Sequence, residues 1–302
     1  GLVDHLQRSH GEPLSAARQQ AWLDGPAAGA DEIEFHATLR GLRRYTMVHT
    51  IFRDINGLAD LSEVVETVST LADVTVTASQ RFHTRAVAER FAVAEPDADA
   101  ANMLVVGMGK LGGRELNVSS DIDLIFVHPE DGDASASRSW HEFHAELGKR
   151  VIRALDQLDE NGFVFRVDMR LRPFGASGPL VCSLGSLENY LVTQARPWER
   201  YAWLKARALT GSDPGIAALE TLVKPFVYRR YNDYAAIEEM RDLHGQIRSD
   251  ATKRNRLDDI KVGVGGIREV EFVAQLFQLI RGGREAGLQT RSTRQALAQL
   301  AT

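Results

Sequence analysis

Two aspartates separated by one apolar residue, Asp121 and Asp123, close the stretch GMGKLGGRELNVSSDIDLIF, Gly107 to Phe126. A third acid, Asp168, lies in RVDMR. On a strand, residues two apart share a face, so Asp121 and Asp123 point the same way with Cα atoms about 6–7 Å apart. Asp168 on the next strand, with Val167 and Met169 facing the other side, brings a third carboxylate to that face. Three carboxylates repel strongly unless a cation offsets them. Hard oxygen ligands in this number suit Mg²⁺, which keeps several waters and is completed by phosphate oxygens. Two such ions about 4 Å apart stabilise the entering and leaving oxygens of an in-line phosphoryl displacement. The alternative, solvated edge acids beside a bare turn, needs three independent coincidences on one sheet face.

The residues before the acids fit the same chemistry. Gly112 and Gly113 let backbone N–H groups approach an anion closely, as a nest. Ser119 and Ser120 add hydroxyl donors, and Lys110 adds a positive charge on the same turn. Arg170 and Arg172 share Asp168's strand face at period two. They either hold a phosphate by bidentate bonds or neutralise the aspartates structurally. Lys205 and Arg207 in LKAR carry the same two readings.

These residues need a sheet to position them. NMLVVGMG reads as a buried strand entering a loop, and DIDLIFVH, Asp121–His128, as a second strand. GFVFRVDMRLRP, Gly162–Pro173, reads as a third, closed by its proline. Between the last two, Trp140, Phe143, Leu147, Val151, Leu155 and Leu158 form one helical face. Upstream, Leu39, Leu42, Tyr45, Met47, Val48, Ile51, Phe52 and Ile55 mark a buried helix stripe, and a second helix starts with Asp60 or Ser62 as cap. The first thirty residues, ending LDGPAAGADE, read as a peripheral arm, and VAEPDADAAN as a linker. After FGASGP the texture is helical, and the last long helix runs from near GGIREVEF to Gly282–Gly283. The expected fold class is α+β: a small mixed sheet core over 95–215, a helical region over 1–94 and a helical bundle over 216–302.

Composition sets the class. The chain has 302 residues, 44% hydrophobic and 25% charged, an ordinary globular balance with length for two or three domains. A net charge of −5 argues against a general nucleic-acid coat and leaves local basic clusters open. The single cysteine, Cys182, excludes an internal disulfide or a multi-thiolate zinc site and fits a reducing cytoplasm. No apolar run is long enough to span a bilayer, and the N-terminal residues carry no signal pattern.

Weaker motifs default to structure. Arg268 and Glu271 at i, i+3 read as an intrahelical ion pair, with Glu269 beside them. His141 and His144 lack partners at metal spacing and read as core or surface. Trp198, Tyr201 and Trp203 read as a core helix anchor before an adenine platform.

The glycine pair, SSDIDL and the later strand aspartate resemble the nucleotidyltransferase fold of the DNA polymerase beta superfamily. GMGKLGGRELNVSSDIDLIF, GFVFRVDMRLRPFGASGPLV, WERYAWLKARAL and IKVGVGGIREVEFVAQLFQLIRGG narrow the likeness to glutamine synthetase adenylyltransferase, a bifunctional family with two related catalytic halves. Met108, Met169 and Phe174 resemble the adenylyl-removing half, because the adenylating half reads closer to YGKLGG and DARLRPSG. The resemblance implies a reaction in which phosphate attacks the AMP–tyrosine bond of adenylylated glutamine synthetase and releases ADP, in the control of nitrogen metabolism. It implies Asp121, Asp123 and Asp168 as catalytic and metal residues that hold two Mg²⁺ ions. Lys110, Gly112, Gly113, Ser119, Ser120, Arg170 and Arg172 would then serve the nucleotide (ADP or ATP) and phosphate. Implied partners are glutamine synthetase, the PII signal protein and a missing C-terminal adenylating half. Two other functions stay open: AMP transfer from ATP, and a regulatory module that only senses nucleotide.

Overall fold

The longest strand, β2 (Ile122–His128), runs apolar and almost wholly buried, which is how a strand covered on both faces reads. It is the centre of the fold in the computed structural model. The structure describes residues 11–24, 30–95, 98–229, 259–261, 263 and 265–301, with two isolated positions, 238 and 245. The sequence readings that fall on residues 1–10, 25–29, 96–97, 230–237, 239–244, 246–258, 262, 264 and 302 lie outside the described residues.

Chain packing defines two compact units: Gly1–Ser186 with Arg207–Ile216, and Leu187–Ala206 with Ala217–Thr302. In the first unit, helix α1 (Ala16–Asp24) precedes the long helices α2 (Glu32–Ile55) and α3 (Leu61–Phe91). Strand β1 (Leu104–Gly107), the short helix α4 (Gly109–Gly112) and β2 follow. A small ribbon of β3 (Asp133–Ser135) and β4 (Arg138–Ser139) leads into helix α5 (Trp140–Asp156). Strands β5 (Val167–Asp168), β6 (Val181–Ser183) and β7 (Arg207–Ala208) complete the sheet.

The sheet is mixed. β1 pairs antiparallel with β2 and with β7, while β5 and β6 pair parallel with successive stretches of β2. Helix α5 lies so close on β2 that a Cβ at Gly148 would meet the Phe126 ring at 2.8 Å. The core joins Phe126, Phe143, Leu147, Val151, Leu155 and Phe165 to Leu39, Leu42, Val68 and Leu71. The second unit holds most of α6 (Leu184–Thr193) and α8 (Asp213–Val227), with α7 (Pro197–Trp203), α9 (Ile267–Arg281) and α10 (Thr293–Leu300). No described helix is long and apolar enough to cross a membrane.

Helix starts follow the capping chemistry. Asp60, rather than Ser62, accepts the Glu63 N–H at 2.8 Å, and Asp31 and Ser139 each form a reciprocal capping box with the glutamate three residues on.

Several expectations change. The expected N-terminal arm contains α1, anchored by buried Leu23 and by Gln19, which donates to Thr67 O at 3.2 Å. The apolar stripe of α2 is buried only as far as Met47. Ile51, Phe52 and Ile55 are exposed, whereas Thr46, His49, Thr50 and Arg53 are buried. Arg53 makes this possible by pairing with Glu63 and donating to Leu58 O at 2.8 Å. Leu158 lies beyond the end of α5 and is exposed. The third strand is two residues long, because the chain turns immediately after Asp168. β6 and β7, too short to carry a period-two pattern, fall in the region expected to be helical.

Candidate active site

Asp123 and Asp168 are register partners on the parallel pair β2–β5, as are Ile122 and Val167 behind them. Neighbouring strands lie about 4.8 Å apart, so the register alone places two acidic residues side by side. Asp121 immediately precedes β2 and is largely exposed.

The register is held from both ends. At the β2 end, the Ile122 N–H donates to Arg166 O at 3.0 Å, and Met108 N–H to Asp123 O at 2.9 Å. At the β5 end, two arginines of α2 fix the incoming chain. Arg40, almost fully buried, donates to Gly162 O at 2.9 Å and Gln157 O at 2.6 Å and pairs with Asp159 at 3.2 Å. Arg43 donates to Val164 O and lies over the Phe163 ring, 4.7 Å from its centroid. Burial, and then the neighbouring Arg166, push the Arg43 pKa below its ordinary value.

The three carboxylates do not converge on one point. Among the described residues, the one group of three acid, histidine or cysteine side chains with ligand atoms within 4.8 Å of one another is elsewhere, at Glu32, His36 and His83. Asp121 pairs with Arg166, which also donates to Ser119 O at 3.2 Å. Asp168 accepts from the Arg170 backbone N–H at 2.8 Å and from its guanidinium at both oxygens. The Arg170 side-chain bond is the main reason that the Asp168 pKa lies below the ordinary carboxylate value, and Asp168 in turn raises that of Arg170. Asp123 and Asp121 also raise the Arg170 pKa through their charge, less than Asp168 does.

The glycine turn is organised differently from the nest expected. Gly112 and Gly113 donate their N–H groups to Met108 O and Gly109 O at 3.1 and 3.0 Å, inside the turn. The glycine with special geometry is Gly109: its φ is +53°, and a Cβ there would sit 3.2 Å from Asp123 Oδ2. Only a residue without Cβ lets the turn pass this close to the carboxylate without strain. Lys110 is half-buried on α4. Ser119 and Ser120 both donate their hydroxyls to Asn117 Oδ1, at 3.2 and 2.9 Å, which folds the approach to Asp121 into a compact turn.

Arg170 and Arg172, expected on one strand face, lie past the strand and diverge. Arg172 turns back on its own loop, donating to Met169 O at 2.8 Å, Pro179 O at 3.1 Å, Ala176 O at 3.2 Å and Gly178 O at 3.3 Å. Of its two readings, the structural one describes these contacts. The loop that it clasps carries Phe174 and Gly175 in left-handed conformation, with Phe174 exposed.

A second charged network lies under the glycine turn, centred on Arg207, for which the structural one of its two readings describes the contacts. Arg207 donates to Leu111 O at 3.1 Å and Gly112 O at 3.3 Å, and holds Asp73 at 2.8 Å. Arg114, itself at φ +57°, joins Asp73, Glu66 and Thr70. Arg166, Arg43, Asn117 and Asp73 are the other residues near the site that sequence reasoning missed. For Asn117 a signal existed, since Asn two residues before Ser-Ser is a common turn former. For the arginines none did, because their partners are distant in sequence.

The weaker motifs resolve as structure. Lys205 is buried, donating to Thr293 Oγ1 at 2.9 Å and pairing with Glu271 at 3.4 Å, so Glu271 is bridged to Lys205 and not to Arg268. Glu269 accepts the Gly265 N–H at 2.8 Å. Trp203 is buried and Tyr201 packs on Phe272, while Trp198 is 38% exposed, outside the core anchor expected of it. His144 is buried and stacked on His128, and His141 is exposed.

Comparisons with known proteins bear on this site. Residues 2–221 match the family model described as glutamate-ammonia ligase adenylyltransferase, and residues 235–302 match one described as PII-uridylyltransferase. Three similar curated proteins are each named bifunctional glutamine synthetase adenylyltransferase/adenylyl-removing enzyme. That of Aromatoleum aromaticum is 53% identical over 99% of this chain and 32% of its own length. That of Chromobacterium violaceum is 50% identical over 98% of this chain and 33% of its own. That of Nitrosomonas eutropha is 49% identical over 98% and 32%. The chain thus spans about a third of the length of these relatives.

Proposed function

Because this chain belongs to the glutamate-ammonia ligase adenylyltransferase family, we propose that it carries the adenylyl-removing reaction: phosphate enters, the AMP–tyrosine bond of glutamine synthetase breaks, and ADP leaves. The observation that carries this reading is the Asp123–Asp168 register pair with Asp121 two residues upstream. We take 95–215 as a nucleotidyltransferase core of the polymerase beta kind, with helical regions on either side of it in sequence.

The donor set fits hard divalent ions. Two aspartates are adjacent by backbone register, a third is two residues away, and the charges that now offset Asp121 and Asp168 are arginines, which such an ion would replace. Mg²⁺ bound by Asp121, Asp123 and Asp168, in two ions on the polymerase-like pattern, would offset charge on the phosphate oxygens in flight and on the departing phenolate.

The protein's own residues do the rest. Arg170 is 82% exposed and pairs with Asp168, so its fork is placed to receive the incoming phosphate or the adenylate. Gly109 keeps the turn clear of Asp123, and Arg207 holds the carbonyls of that turn from beneath. Lys110, Gly112, Gly113, Ser119 and Ser120 shape the anion side, and Arg172 orders the following loop. The leaving tyrosine has an ordinary pKa of about 10, and phosphate is already partly dianionic near neutrality. Positioning and charge neutralisation therefore suffice, without a strong general base.

The likeness of residues 235–302 to a PII-uridylyltransferase model supports the PII signal protein as an effector, acting beside an adenylating half on the same polypeptide in the cytoplasm. The deciding experiment incubates this chain with adenylylated glutamine synthetase, Mg²⁺ and phosphate. ADP release supports the proposal. Pyrophosphate release from ATP with unmodified glutamine synthetase assigns the adenylating direction instead, in which Asp168 would accept the tyrosine proton. Nucleotide binding with neither product leaves a sensing module.

A further inference from the structure

Away from the aspartates, α2 and α3 bring Glu32, His36 and His83 together. Glu32 and His36 are at i, i+4 on the first turns of α2, hence on one face. His83 comes from α3 and is fully buried. One ligand atom from each of the three lies within 4.8 Å of the others. His36 Nε2 and His83 Nε2 are 3.5 Å apart. Two imidazole nitrogens bound to one tetrahedral ion at about 2.0–2.1 Å sit roughly 3.4 Å apart, so little movement is needed.

His83 Nδ1 is buried with no hydrogen-bond partner, as are His49 Nδ1, His128 Nε2 and His144 Nδ1, so what points to an ion is the approach of the two Nε2 atoms beside the Glu32 carboxylate. Phe35 and Phe82, stacked at 4.1 Å, both present themselves to the His83 ring and form an apolar wall.

The surrounding charges select the kind of ion. Arg150 lies 3.7 Å from Glu32, and Arg40 and Arg153 act on His36, with Asp159 as the opposing acid. A hard ion held by charge alone is disfavoured there. A borderline ion gains from its nitrogen bonds and is not so limited.

We propose that Glu32, His36 and His83 bind one borderline divalent transition-metal ion of the Zn²⁺ class, clamping α2 to α3 and leaving a coordination position open to solvent on the Glu32 side. Two nitrogens and one carboxylate oxygen are the ligands of many open zinc sites, and they differ in chemistry from the all-oxygen aspartate set. Glu32, 41% exposed, gives the ion its entry path.

The test is a titration of chelator-stripped protein with Co²⁺ and then Zn²⁺, in excess Mg²⁺, followed by visible absorption and thermal unfolding. One equivalent of Co²⁺ giving tetrahedral-type bands, displaced by Zn²⁺ and raising the melting temperature, is expected. His36→Gln and Glu32→Gln, at half-buried positions, should melt like the parent without metal and bind at least about 10-fold more weakly, a scale that even outer-shell losses reach. The Asp121→Asn/Asp123→Asn double variant should bind like the parent. The proposal fails if no saturable binding occurs, if His36→Gln leaves it unchanged, or if the aspartate variant abolishes it.

Discussion

Asp123 on β2 and Asp168 on β5 face each other as backbone partners in a parallel pair. Their adjacency is therefore set by main-chain hydrogen bonding and survives changes in either side chain. Asp123→Asn and Asp168→Asn should fold like the parent and lose about 100-fold or more in ADP release, the scale on which single groups stabilising transition-state charge act. Circular dichroism and a coupled ADP assay check this. A variant with ordinary turnover removes the acid pair from the mechanism.

Gly109→Ala tests the approach of the turn to Asp123. The new Cβ meets Asp123 Oδ2 at 3.2 Å in a left-handed conformation. The expected cost is about 1–2 kcal/mol, seen as a lower urea midpoint, together with slower deadenylylation. An unchanged midpoint and rate would show that the turn relaxes freely.

Arg207→Lys keeps the charge but loses the fork that grips Leu111 O, Gly112 O and Asp73 together. Stability should fall by about 1–2 kcal/mol, and kcat for ADP release by about 10-fold, because the turn beside Asp123 is no longer fixed. Phosphate KM separates the roles. A rise in KM alone, with kcat intact, would make Arg207 a phosphate ligand and not a positioning residue.

Clasping by Arg172 predicts a local effect. Arg172→Ala should leave the core intact but make the 173–179 segment readily cleaved, because carbonyls of Met169, Ala176, Gly178 and Pro179 lose their shared donor. Limited proteolysis with mapped cut sites is the check. Parent-like resistance sinks the clasp.

The pH dependence of stability follows from buried histidines. Burial lowers the pKa of His144 to about 3, and that of His128 below its ordinary value. The unfolded chain protonates these rings near 6.5, so it binds more protons than the folded chain below that pH. Stability is full above about 6.5 and is lost as pH falls towards 3, by up to about 1.4 kcal/mol per pH unit for each ring. Urea unfolding at pH 7.5, 6.0 and 5.0 should show the fall, and His144→Gln should make it shallower. A profile level across that range contradicts the assignment.

The legible parts of this protein were those written in neighbouring residues. Apolar periodicity announced α2 and α5, the Asp60 cap announced α3, the Gly-rich turn and Asp-x-Asp announced the acidic residues, and the Gly282–Gly283 stop ended α9 where expected. Periodicity misled where burial was secured by polar pairing: Arg53 with Glu63 turned the end of α2 so that Ile51, Phe52 and Ile55 face outward. It also overextended β5, since a strand pattern is indifferent to where pairing with β2 stops.

Residue types and short spacings determined the acids, the turn and the helices, because propensity, capping and alternation act over a few residues. Tertiary structure alone decided that Asp123 meets Asp168, that Arg172 turns back on its own loop, and that Arg207 and Asp73 brace the glycine turn. It likewise brought His36 to His83 across 47 residues. Those contacts depend on which distant backbones pack together, and that is settled by the whole core at once.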